Sequence, residues 1–339
     1  MGFLITVGAI LVGLFHASSL QHIQIGCSIF DPQGKQIRAY DGGRCVFFSD
    51  GRVVAADRRK IAMYDSFGAT LWKHEMHTHH ILTQTMNGDI LVSSSDVVTW
   101  NNEPARVDVL HRIDVNGRIK NTFRFSEHPE LIEGEPGIHP ISFTWDKDAG
   151  IKADYELTHF NSYYEIPANP IAKKIAAFAE GNIVVNTIST GRIFILSPDL
   201  SKVLWTFDQR KYGFSAYIHD VQVRTNGNLL FYENMEIDKE NSSLVEFDPL
   251  SMKTIWRYRA NPPESFFALV CGGVQVLANG DVFYSDITDE NEAHLVTRND
   301  RLIQTFKFHS PKDAKGQLIG IQDAKLRELT QFLKHNRGL

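Results

Sequence analysis

The chain has 339 residues, of which 43% are hydrophobic and 22% charged, a globular composition that excludes a disordered chain or a multi-pass membrane protein. A formal net charge of −5 and a pI near 6.3 lack the basic footprint of a nucleic-acid binder. Aromatic residues at 11% with 22 Phe, among recurrent β-branched runs, favour β structure, and the length suits two average domains or one large all-β ring.

The first 30 residues contain no Asp, Glu, Lys or Arg, and Gly2 to Phe15 is nearly all apolar. Ala17-Ser18-Ser19 then offers small residues where a signal peptidase would cut, although no positively charged n-region precedes it. Met1 to Leu20 is also about the ~20 residues needed to span a bilayer. Residues 1–20 therefore read as an export signal or as a membrane anchor, with a buried helix as the third alternative. Either export reading places the body in the periplasm or outside the cell. Cys27 and Cys45 lie 18 residues apart on neighbouring predicted strands and are candidates for a bridge that leaves Cys271 free. Three buried thiols is the equal alternative.

Two turns recur from residue 31 onward. One is Asn-Gly-like: Asp50-Gly51, Asn87-Gly88, Gly181-Asn182, Asn226-Gly227 and Asn279-Gly280. Such dipeptides predict two-residue hairpins. The other is Asp-rich and precedes a strand with an aromatic: Asp31 to Gly34, Asp65 to Gly68 before Trp72, Asp114 to Gly117 before Phe123, Asp199 before Trp205, Asp248 before Trp256 and Asp300 before Phe306. Because the two alternate, each repeat holds four short strands, the signature of β-propeller blades. The trailing aromatics then read as core between blades.

Residues 44–76, 79–125, 159–208, 219–260 and 272–308 read as five complete blades. The segment Ile23 to Tyr40 reads as the outer half of a sixth, its inner strands supplied by the C-terminal stretch around Gln317 to Ile321. The expected fold is thus an all-β propeller over 23–321, six-bladed with five as the fallback. Residues 126–158 predict a long loop over one channel mouth. Asp323 to His335 carries helical spacing, so 322–339 predicts a C-terminal helix and tail.

Counting back seven residues from Asn87 and Asn226 reaches His80 and His219, and from Asn279 it reaches Gly272. The blade between opens on His159, with an insertion, Ala168 to Phe178, before its turn. In a propeller the first strand of each blade lines the channel, so His80, His159 and His219 should surround one pocket, with Asn161 two residues along the same face.

These histidines, with Asp154-Tyr155, His159-Phe160-Asn161-Ser162, residues 219–234 and residues 272–286, resemble the bacterial arylsulfotransferases over about residues 44–308. The resemblance implies a six-bladed propeller that moves a sulfuryl group from an aryl sulfate to a phenol through a sulfohistidine, with no metal or cofactor. By motif, His219 would be the nucleophile, His80 and His159 the flanking groups that bind sulfate and handle the phenol proton, and Asn161 a sulfate ligand. The family's arginine aligns with Ile188 here. Arg192, about 13 Å further along an extended strand, and Arg224 are the candidate substitutes.

Two rivals follow. A non-catalytic extracytoplasmic propeller that binds or assembles is the first, favoured by loss of that arginine. A metal site is the second: His77 and His79 share a strand face beside His80, although an exposed strand end is the simpler reading. His74, His111, His128, His139, His294 and His309 lack any register and are expected at the surface. Neither a Gly-x-Ser-x-Gly sequence nor a phosphate-binding loop is present.

Overall fold

The computed structural model describes residues 22–131, 141–142, 153, 155–237, 240–269, 271–286, 292–308, 312 and 325–327. The expected segment 1–20, the proposed inner strand at 317–321 and His139 and His309 lie outside them. Six antiparallel sheets surround one axis. Blade 2 runs Arg44–Phe47, Val53–Ala56, Lys60–Tyr64 and Thr70–Glu75, and blade 3 runs His79–Gln84, Ile90–Trp100, Glu103–Ile113 and Ile119–Arg124. Blade 4 comprises Phe160–Glu165, Ile183–Thr187, Arg192–Leu196 and Val203–Asp208; blade 5 comprises Ile218–Val223, Leu229–Glu233, Ser243–Asp248 and Lys253–Tyr258. Val274–Val276, Val282–Asp286, Glu292–Val296 and Leu302–Lys307 form blade 6.

Blade 1 closes the ring. His22–Ile25, Ser28–Phe30 and Gln36–Ala39 supply three of its strands, and Lys325–Arg327 adds antiparallel to His22–Ile25 as the innermost. Strand sharing was therefore expected correctly, but the split is three and one, and the joining strand begins within the segment expected to be helical. Over three residues, Lys325-Leu326-Arg327, a period of 2 cannot be told from one of 3.6, and an unpaired edge decides the matter. The disulfide Cys27–Cys45 joins blade 1 to the inner strand of blade 2.

Where glycine closes a turn without an insertion, both classes share one geometry. Thr85 and Asp89 pair N–H to C=O at 2.8 Å while Gly88 N–H donates back to Thr85 O at 2.9 Å, and Asp114, Arg118 and Gly117 repeat this at 2.9 Å. The glycine takes positive φ and the preceding Asn does not, so these are three-residue loops with a glycine bulge, not the expected two-residue turns. In the Asp class, Asp114 Oδ1 also accepts from the N–H groups of Asn116 and Arg118, each at 2.9 Å, which explains why Asp opens it.

The core lies between blades. Leu110, Phe123, Phe125, Phe160, Tyr163 and Phe194 fill the space between blades 3 and 4, and Val184, Phe207, Val221, Phe231 and Phe247 that between blades 4 and 5. The outer-strand tryptophans also sit between blades, as expected: Trp72 Nε1 donates to Val115 O at 3.1 Å between blades 2 and 3, and Trp256 Nε1 to Arg298 O at 3.1 Å between blades 5 and 6. Within 126–158, Ile141–Ser142 pairs with Tyr155–Glu156, which runs parallel to Ala105–Arg106 on the long hairpin of blade 3. That part of the loop is therefore tied to a blade edge; the rest lies outside the described residues.

Candidate functional site

The inner strands bulge where they reach one mouth of the channel. In blade 3, His80 and Ile81 stand between His79, opposite Ser93, and Leu82, opposite Val92. In blade 4, Asn161 stands between Phe160 and Ser162, and in blade 5 the register shifts between His219 and Gln222. A bulge turns successive side chains toward one face, and His80 and Asp220 take positive φ there, 56° and 53°, a conformation that persists only where the surroundings hold it. Blade 6 carries Gly272 in register instead. A Cβ on it would meet Tyr232 Cε2 at 2.7 Å, so the Tyr232 ring occupies the space a side chain would need.

His80, His159, His219 and Asn161 line one cavity of about 240 Å³, together with His79, Arg44, Arg58, Arg106, Glu156, Asp220 and Cys271. His219 Nδ1 lies 2.5 Å from Asn234 Oδ1. The Asn234 amide is oriented by its own donation to Cys271 O, so its oxygen accepts and His219 carries the proton on Nδ1. The lone pair is then on Nε2, where Cys271 N–H approaches to 3.2 Å. His80 and His159 touch through their Nε2 atoms. Glu156 Oε1 lies 2.9 Å from His159 Nδ1 without the alignment of a hydrogen bond. Glu156 is itself paired with Arg106.

Burial holds these imidazoles neutral. It lowers His219 and His159 to about 4. For His159 the Asp108 carboxylate pulls upward and Arg106 downward. His79 and His80 fall well below the usual value, again by burial first and then by neighbouring cations and imidazoles. Burial likewise raises the Asp108 carboxyl, which contacts His79 Nε2 and accepts Phe160 N–H at 2.8 Å.

Arg192 and Arg224 do not join the pocket. Arg192 is buried and donates to Leu131 O at 3.3 Å; Arg224, beyond the far end of the inner strand, pairs with Glu246 at 2.5 Å. Ile188, at the family's arginine position, donates its N–H to His159 O at 3.2 Å, so that position does sit beside the site. The cations at the pocket are Arg44, Arg58 and Arg106, which the repeat register could not reveal because they come from a neighbouring blade's inner strand, a turn and a third strand. His79 is not an exposed strand end but packs against the buried Asp108 with its side chain 11% exposed. His111 is not at the surface either, lying between Ser94 Oγ at 2.7 Å and Thr122 Oγ1 at 3.0 Å. Among the described residues no group of three or more His, Cys, Asp or Glu is arranged to hold a metal.

No protein-family model and no curated protein matches the chain. Solved structures do match. A protein of unknown function from Bacteroides caccae aligns at 13% identity with a TM-score of 0.56, over 91% of this chain and 99% of that one. The Myceliophteria thermophila Cps50 (Swd1) β-propeller domain aligns at 11% identity, TM-score 0.42, over 80% of this chain and 88% of that one. Saccharomyces cerevisiae Sqt1 does so at 9% identity, TM-score 0.45, over 86% of each chain. The Bacteroides likeness supports the fold alone.

Proposed function

We propose that the chain is an arylsulfotransferase-like enzyme that carries a sulfuryl group on His219 from an aryl sulfate to a phenol. The observation that carries this reading is the fixed tautomer of His219: Asn234 holds Nδ1–H, so a neutral Nε2 faces a cavity lined by two further imidazoles and three arginines. Nε2 attacks sulfur, the N–S bond forms, and the S–O bond to the donor breaks. The phenolate departs as the anion. In the second half the neutral His80–His159 pair takes the acceptor phenol's proton as its oxygen attacks sulfur, the N–S electron pair returns to Nε2, and the pair then releases that proton to water. Arg44 and Arg58 would offset the sulfate charge, while Arg106 is engaged by Glu156. A cavity of about 240 Å³ is below the roughly 300–1,000 Å³ of drug-sized pockets, which suits one small ester at a time and hence two half-reactions.

The disulfide supports an oxidising, extracytoplasmic location, with residues 1–20 as signal or anchor. Among the described residues no helix is long and apolar enough to cross a membrane. Incubation with 4-nitrophenyl sulfate followed by intact-mass measurement tests the reading. One acid-labile sulfuryl adduct, absent from His219→Ala, supports it. Binding of the ester by calorimetry without an adduct would leave the non-catalytic binding module instead.

A further inference from the structure

Further along the axis from the histidine pocket the inner strands enclose a second cavity of about 310 Å³, which shares Arg44 and Ile81 with the first. The strand that closes the ring contributes to it directly. Lys325 and Arg327 alternate with Leu326 and so share one strand face, and both line this cavity. The Lys325 charge is answered by Asp220, which also accepts Val274 N–H at 2.6 Å and the Tyr164 hydroxyl. Arg327 is different. Its Nε donates to Gln24 Oε1 at 3.2 Å, a neutral acceptor, and Asp220, already paired with Lys325, acts on it through space; no carboxylate is among the residues lining the cavity. Lys325 and Arg327 thus share one carboxylate beside a cavity that Arg44 also lines, so an anion entering it meets an excess of positive charge. Phe47 and Ile81 give the same space an apolar wall.

We propose that this axial channel is a second ligand site, for a small molecule bearing an oxyanion, held by Arg327 and Arg44, and that its occupation fastens the C-terminal strand into the ring. The site does not depend on sulfuryl transfer. Inorganic phosphate and benzoate serve as probes, one a bare oxyanion and one an oxyanion on an apolar body. Calorimetry and thermal melts are run on the full chain at fixed ionic strength, with chloride as the balancing salt. The expected result is saturable binding of at least one probe and a rise in Tm that chloride does not reproduce, since a ligand of the folded state stabilises it.

Arg327→Gln should weaken binding by about 10–100-fold, the range for a lost hydrogen bond to a charged group. Gln84→Glu, which adds a carboxylate to the same cavity without altering the closing strand, should weaken it too and decides the matter if Arg327→Gln fails to fold. Arg58→Gln, confined to the histidine pocket, should leave binding within about twofold, and His219→Ala should abolish the sulfuryl adduct while retaining the probe. No saturable heat for either probe would overturn the proposal. So would binding that both channel variants leave intact, or that Arg58→Gln alone removes, which would place the anion among the histidines.

Discussion

At the scale of single residues, burial sets the protonation of the site, and this changes the pH dependence that a surface histidine would give. An imidazole must be neutral to attack, and His219 is held at about 4 rather than the ordinary ~6.5. Transfer should therefore persist to mildly acidic pH and fall only near 4; a rate of adduct formation that halves near 6.5 would contradict the buried tautomer. The same shift is a stability statement. His219, His159 and His111 at about 4 bind protons in the unfolded chain first. Their contribution is complete above ~6.5 and is lost as pH falls toward 4, so Tm should drop across that interval in calorimetry. The missing cation makes a third test. Ile188 lies beside His159, and Ile188→Arg should raise turnover of a nitrophenyl sulfate if sulfate neutralisation limits the rate. His80 and His219 were legible in sequence by counting back from their turns, and His159 because it opens the blade between them. Asp108, Glu156 and Arg106 were not, because an eleven-residue strand and a cross-strand pairing bring them in.

At the scale of the element, the glycine that closes many of the turns serves two purposes that substitution can separate. Gly117 has φ +85°, and a Cβ there would meet Trp72 Cγ at 2.6 Å; Gly280 has φ +90° with nothing within 4 Å. Gly280→Ala should therefore cost only the conformational part, about 1–2 kcal/mol. Gly117→Ala adds overpacking against the seam between blades 2 and 3, for a total of at least ~2 kcal/mol. Denaturant melts of the two variants compare them directly, and equal losses would mean that Trp72 yields freely. Sequence identified the turn positions through Asn-Gly and Asp-x-x-Gly. It did not distinguish a two-residue turn from a three-residue loop, because both place Gly at positive φ and differ only in whether the preceding residue joins it.

At the scale of the whole molecule, the ring is fastened in two places: the disulfide Cys27–Cys45 across blades 1 and 2 and the strand Lys325–Arg327 within blade 1. The repeat spacing gave the number of blades, whereas the closing strand carried no turn to mark it. Loss of the bridge in Cys45→Ser should cost about 3 kcal/mol, the usual figure for a closed loop of this length. Loss of the strand should do more than lower Tm. A chain ended after residue 324 leaves His22–Ile25 as an unpaired edge, and that strand holds Ile23 and Ile25, both fully buried in the intact ring. An exposed apolar edge is a template for pairing with another chain. The truncated protein should therefore melt lower and associate on size exclusion, whereas a chain ended after residue 327 keeps the strand and should do neither. Equal elution and equal Tm for the two would show that the ring does not rely on Lys325–Arg327 for closure.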